Sequence, residues 1–220
     1  MVSPILGVVT IGQTPRPDLA MAFEAAAPHA VVRIAGALDA LDDQQVRAIA
    51  ASGDYPLLVR LASGGVAEVP MADLVPRVAA AALGLVHAGA AVVVVACAGG
   101  FPDIPCPVPL VMPGRVVPAV AGALSRSRRI GVVTPNRAQV PFATRKWIED
   151  GFEPVVIFAS PEDHAAIQRA GDDLADRDID LIVLDCMGHD DECRASLAER
   201  TGRPVRAAQA LVARVAASLI

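Results

Sequence analysis

The chain has 220 residues, and its four cysteines and four histidines are the side chains best suited to moving protons near neutral pH. Two of the cysteines share a setting. Cys97 closes the run AVVVVAC and Cys186 closes DLIVLDC, and a glycine stands two positions beyond each. A cysteine at a strand end is ordinarily a small hydrophobe. A matched pair at loop mouths reads differently, because exposed amides at such places stabilise thiolate, and a thiolate is a usable general base. If two thiols faced each other across a cleft, one could remove a proton from carbon while the other delivered one to the opposite face. That is inversion of a stereocentre without a cofactor.

A second matched pair accompanies the first. GVVT occurs in LGVVTIGQTPRPD and again in RIGVVTPNRAQVP, each time as a strand that passes through small polar residues into a helix. Unpaired N–H groups and the helix dipole at such junctions favour anions. Thr10, Gly12, Gln13 and Thr14 in the first loop, with Thr134, Pro135 and Asn136 in the second, could therefore cradle a substrate carboxylate. Thr14 and Asn136 read equally well as capping or turn residues. Arg16, between two prolines, could clamp a carboxylate at two points, pair with Asp18 or lie in solvent. Gly99, Gly100 and Gly188 would keep the approach to the thiols open. His189 follows Cys186 closely enough to tune it or to shuttle protons.

Other candidates carry less. Cys106 lies between prolines without a counterpart, and Cys193 falls in a polar helical stretch, so both read as bystanders. Cys186, His189 and Cys193 form C-x-x-H-x-x-x-C, but a fourth ligand at a suitable spacing is missing and no metal is expected. His29, His87 and His164 are isolated. Asp185 precedes Cys186 on its strand, so alternation turns it to the other face and into a structural role. No glycine-rich phosphate loop follows a strand, which argues against a nucleotide cofactor.

The elements that would position these residues alternate regularly. Strand-like runs ILGVVT, VVRIA, LLVRL, AVVVVAC, RIGVVT, PVVIFA and DLIVLDC are separated by Ala-rich segments with helical spacing. That order predicts α/β architecture with parallel sheets, and the nearly continuous apolar runs predict burial of both sheet faces. Each half holds one GVVT strand and one strand ending in Cys, in the same order, which points to internal duplication. The Thr-to-Cys separation is longer in the first half, so an insertion is expected around VRLASGGVAEVPM, read as two short strands joined by SGG.

Composition limits the partners. A net charge of −5 and a sequence pI near 5.3 provide no basic footprint for nucleic acid. The longest apolar stretch is broken by His87 and by repeated glycines, so no membrane span is expected. No basic stretch precedes the first apolar run, and Pro4 follows the start closely, so a secretory signal is not expected either. The expectation is a cytoplasmic protein with free thiols.

VTIGQTPRPD, VVACAGGFP, the run PLVMPGRVVPAVAGAL and LIVLDCMGH together resemble the AroM family, within the wider aspartate/glutamate racemase superfamily, over essentially the whole chain. The resemblance implies two similar Rossmann-like lobes with parallel sheets, related by a pseudo-twofold, with the active site between them. Lobe 1 would comprise 1–112, with 207–220 returning to it, and lobe 2 would comprise 113–206. Cys97 and Cys186 fall on the catalytic cysteine positions, and the Thr10 and Thr134 loops on the carboxylate-binding ones. Ala98-Gly99 and Met187 stand where racemases of this group commonly carry Asn-Thr and Thr, so these contacts with an amino-acid substrate are replaced. The expected activity is thus a related, cofactor-independent racemase, epimerase or isomerase acting on a small carboxylate, with a homodimer a reasonable assembly. Decarboxylation or cis-trans isomerisation on the same scaffold is the nearest rival. A non-catalytic small-acid-binding or regulatory protein is the rival from another class, and a redox or metal protein comes third.

Overall fold

In the computed structural model, which describes residues 3–50 and 56–220, the apolar runs become the strands of two parallel sheets. The first half runs β1 (Ile5–Thr10), α1 (Pro17–Ala26), β2 (Val31–Gly36), α2 (Asp43–Ala50), β3 (Pro56–Arg60), β4 (Val66–Pro70), α3 (Met71–His87), β5 (Ala90–Ala96), β6 (Leu110–Val111) and α4 (Pro113–Leu124). The second runs β7 (Arg129–Thr134), a 3-10 turn (Arg137–Gln139), α5 (Val140–Glu149), β8 (Glu153–Phe158), α6 (His164–Ala175), β9 (Leu181–Leu184), α7 (Asp191–Thr201), β10 (Val205–Ala207) and α8 (Ala208–Ala217).

The two sheets have the same strand order. One is β2-β1-β5-β6 and the other β8-β7-β9-β10, so β1 matches β7, β2 matches β8 and β5 matches β9. All strand pairs within them are parallel. β5 and β9 are buried almost end to end, as their unbroken apolar sequences require, while the edge strands β2 and β8 are only partly covered.

The repeated GVVT has a packing reason. A methyl group on Gly7 of β1 would stand 3.2 Å from Leu85 of α3, and one on Gly131 of β7 would stand 3.2 Å from Leu174 of α6. These helices are the matching crossovers, β2 to β5 and β8 to β9, and each comes close to its sheet at the glycine. Along α3 the buried residues Leu74, Val78, Ala82 and Leu85 recur at helical spacing and form the face laid on the sheet.

The longer first half is explained by α2 and the antiparallel β3–β4 hairpin, which have no counterpart between β8 and α6. The hairpin falls where VRLASGGVAEVPM placed it. Between β5 and β6, by contrast, Pro102, Pro105, Pro107 and Pro109 occupy the segment where the second half forms α7, and no helix forms there.

Tertiary contacts divide the chain into one unit of Met1–Cys97, Phe101–Pro113 and Val212–Ile220 and another of Ala98–Gly100 and Gly114–Leu211. Ala98–Gly100 fall in the second unit, where Gly114 packs against Gly100, and the start of α8 stays there because Gln209 Nε2 donates to the Met187 carbonyl. Each unit has its own core, Val9, Leu57, Val78, Val93 and Val95 being central in the first and Val133, Leu174, Ile182, Leu184 and Leu197 in the second. Among the described residues no helix is long and apolar enough to cross a membrane.

Candidate functional site

In each unit the threonine of GVVT ends its strand beside the strand that carries the cysteine. Thr10 pairs with Ala96 across β1 and β5, so Cys97 lies one residue beyond the level of Thr10. In the second unit Val133 pairs with Leu184 and the Asp185 N–H donates to the Val133 carbonyl, which puts Asp185 level with Thr134 and Cys186 one residue beyond. The backbone repeats the match on the opposite side, where Ala37 N–H donates to Thr10 O and Ala159 N–H to Thr134 O, both at 2.9 Å. Both threonines are buried.

The first loop is tied down by its own side chains. Gly12 passes so close to β3 that a methyl there would lie 2.4 Å from the Arg60 carbonyl oxygen, and only glycine permits this approach. Next to it, Gln13 Nε2 donates to the carbonyls of Leu38 and Leu41, its Oε1 accepts from Ala62 N–H, and its backbone N–H donates to Arg60 O. Every polar group on that amide is occupied. Gln13 is therefore a strut joining the loop to β3 and to the segment after β2.

Arg16 takes the Asp18 pairing among its three possible settings. Its Nε and Nη2 hold the two oxygens of Asp18 at 2.9 and 2.6 Å, while Nη1 donates to the Thr10 hydroxyl at 2.8 Å. Burial opposes ionisation of Asp18, but the hydrogen bonds and charge of Arg16, with the charge of Arg60, outweigh it and hold the carboxyl below its usual range. Arg16 thus fixes Thr10. Thr14 gives its N–H and its hydroxyl to Asp39 Oδ1, a turn role.

In the second loop Thr134 Oγ1 shares its one proton between the carbonyls of Asn136, at 3.1 Å, and Ile157, at 3.3 Å. Asn136 Oδ1 accepts from Gln139 N–H at 2.9 Å, so it caps the short turn that leads into α5. Pro135 is buried beside it.

The two cysteine settings are not equal. Cys97 is 6% exposed and Ala98 is buried, while Cys186 is partly exposed and its sulfur receives the Gly188 N–H at 3.3 Å. Gly99 is partly exposed and Gly100 takes a positive φ of 75°. Met187 is buried, with its carbonyl held by Gln209. Gln209 is a neighbour of this loop that sequence reasoning missed; its signal was a lone amide in the apolar stretch AAQALV.

His189 is fully buried. Its Nε2 donates to Ala159 O at 3.0 Å, its backbone N–H donates to Cys186 O, and its Nδ1 has no hydrogen-bond partner among the described residues. Burial drives its pKa down to about 4, so the ring is neutral at physiological pH. Cys193, also buried, has its thiol pushed up to about 12 by burial and by the Asp190 carboxylate. None of the four cysteines forms a disulfide. Among the described residues no three His, Cys, Asp or Glu side chains are grouped to hold a metal ion.

Asp185 is buried where alternation placed it. Its Oδ2 accepts from Trp147 Nε1 at 2.8 Å and lies 3.9 Å from Lys146 Nζ, both residues of α5. Burial raises its pKa against the lowering influence of Lys146 and Trp147.

The family profile described as AroM protein matches residues 6–220. No curated protein sequence matches the chain. Among solved structures it is similar to the glutamate racemase isoform RacE1 from Bacillus anthracis, with a TM-score of 0.65 at 13% identity over 96% of this chain and 79% of that one. It is similar as well to arylmalonate decarboxylase, with a TM-score of 0.66 at 16% identity over 98% and 92% of the two chains. Allantoin racemase from Klebsiella pneumoniae gives 0.64 at 16% identity over 99% and 87%. At such identities the likeness shows a shared fold.

Proposed function

Because this chain belongs to the AroM protein family, and because each of its units ends a buried strand in a cysteine one residue past a buried threonine, we propose that it is a cofactor-independent racemase, epimerase or isomerase of a small carboxylate. The matched register of Thr10 with Cys97 and Thr134 with Cys186 is the observation that carries the reading. The fold shared with two racemases and a decarboxylase supports it by analogy.

In this reaction one sulfur, as thiolate, takes the proton from the carbon next to the substrate carboxylate, so a C–H bond breaks and an S–H bond forms. The other sulfur, as thiol, gives its proton to the opposite face, and the two cysteines end with their protonation states exchanged. The Thr10 and Thr134 loops are the segments that bind the carboxylate and the charge that develops on it. Arg16 and Gln13 act one step back, holding the first loop in place.

The unequal surroundings of the thiols favour one alternative. If Cys186 works alone, with the Gly188 N–H supporting its charged form, the same scaffold would protonate a carbanion left by loss of CO2. The experiment is incubation in deuterated water with a panel of small chiral acids, followed by NMR for label at the α-carbon and by product analysis for CO2. Label in wild type that is lost in both Cys97→Ser and Cys186→Ser supports the two-thiol reaction. CO2 release that survives Cys97→Ser replaces it with decarboxylation, and label entering both variants at the wild-type rate ends the proposal.

A further inference from the structure

The buried Asp185, Trp147 and Lys146 cluster has no part in the chemistry above, and it is expensive to maintain. Lys146 Nζ and Asp185 Oδ1 are both buried without a hydrogen-bond partner among the described residues, although Nζ lies 3.9 Å from Asp185 Oδ2, 3.8 Å from Asp150 and 4.2 Å from the centre of the Trp147 ring. A buried polar pair is often less stabilising than apolar residues of the same size, so its presence calls for a positional reason. The position supplies one. Asp185 immediately precedes Cys186 at the carboxyl end of β9, and Lys146 and Trp147 belong to α5, which continues directly from the turn at Thr134 to Gln139. The level position beside Thr10 in the first unit is Ala96, which carries no such polar group.

We propose that the hydrogen bond from Trp147 Nε1 to Asp185 is a positioning brace for Cys186, clamping the end of β9 to α5 so that the thiol and the Thr134 loop are held in fixed register. The inference rests on Cys186 being a reacting residue, but its test does not. Trp147 is the only tryptophan, it is wholly buried, and it packs edge-on against Phe152 with ring centroids 5.2 Å apart. Trp147→Phe therefore removes the donor while retaining an aromatic side chain in that contact.

The measurement is the rate of iodoacetamide alkylation at each cysteine of the full chain, resolved by peptide mass spectrometry. Trp147→Phe is expected to speed Cys186 alkylation at least about fivefold while Cys97 and Cys106 react as in wild type. A second pair of variants separates the tie from the charges. Asp185→Asn with Lys146→Met keeps an acceptor for the indole and removes both ionisable groups, so Cys186 should stay within about twofold of wild type. Asp185→Leu with Lys146→Met removes the acceptor as well and should match Trp147→Phe. Should a double variant unfold, which alkylation of the buried Cys193 would reveal, Trp147→Phe decides. Cys186 reacting at the wild-type rate in Trp147→Phe overturns the brace. If instead Cys186→Ser retains full turnover, the proposed reaction fails while the alkylation result stands.

Discussion

Replacing Gln13 by alanine should destabilise the first unit without touching either thiol. The side chain makes three hydrogen bonds, at 3.1 Å to Leu38 O, 2.6 Å to Leu41 O and 2.9 Å from Ala62 N–H. Leu38 is fully buried, and its carbonyl would keep the Leu41 N–H but lose the Gln13 amide, at about 0.5–1.5 kcal/mol. Leu41 and Ala62 lie nearer to solvent, and the loss there is about 0.5 kcal/mol each once water returns. The total is about 1.5–2.5 kcal/mol. For a chain of this length that corresponds to roughly 3–10 °C in Tm. Thermal unfolding followed by circular dichroism gives the shift, and peptide-resolved hydrogen exchange should place the loosening at the first loop, the segment after β2 and the β3–β4 hairpin. A variant melting within about 2 °C of wild type, with unchanged exchange there, would refute the strut and return Gln13 to the substrate-binding candidates.

His189 should make stability depend on pH. Burial lowers its folded pKa to about 4 from an ordinary 6.5, so between those values the unfolded chain binds the proton and the folded chain does not. Its contribution is whole above 6.5 and is lost as pH falls toward 4, by about 3 kcal/mol in all. Urea titrations across that range should show this loss in wild type and a flatter profile in His189→Gln; identical profiles would contradict it. Cys193, with its thiol pushed up to about 12, should resist iodoacetamide in the native chain near pH 8 and react once the chain is denatured, and ready modification in the native state would show the site to be open.

What could be read from residues alone was the part dictated by local pattern. Unbroken apolar strands, their alternation with helices, and the two matched motifs predicted the parallel sheets and the internal repeat. β6 and β10 have two and three residues and no pattern of their own; they are strands because of the neighbours they pair with. α2 was missed because DQQVRAIA is only eight residues long, too short a window for its period to stand out. At the candidate site, residue type told where the loops lie but not what their side chains do. Gln13, Arg16 and Asn136 all carry groups suited to a substrate, and each is engaged within the protein through contacts that depend on tertiary placement: Leu38 and Ala62 for Gln13, Asp18 and Thr10 for Arg16, the following turn for Asn136. For Asp185, alternation supplied the direction of the side chain; its partners, on a helix nearly forty residues earlier, were not legible.

The claim on which the account rests is that two sulfurs act in one inversion, one taking a proton from carbon and the other returning one to the opposite face. The rate of deuterium entry at the α-carbon of a turned-over substrate, measured for wild type, Cys97→Ser, Cys186→Ser and the double variant, tests it most directly. Groups acting together in one step lose their effect together, so each single variant should fall by at least about 100-fold and the double variant should be no slower than the singles. Full activity in either single variant, or losses that simply multiply in the double, would contradict a shared reaction.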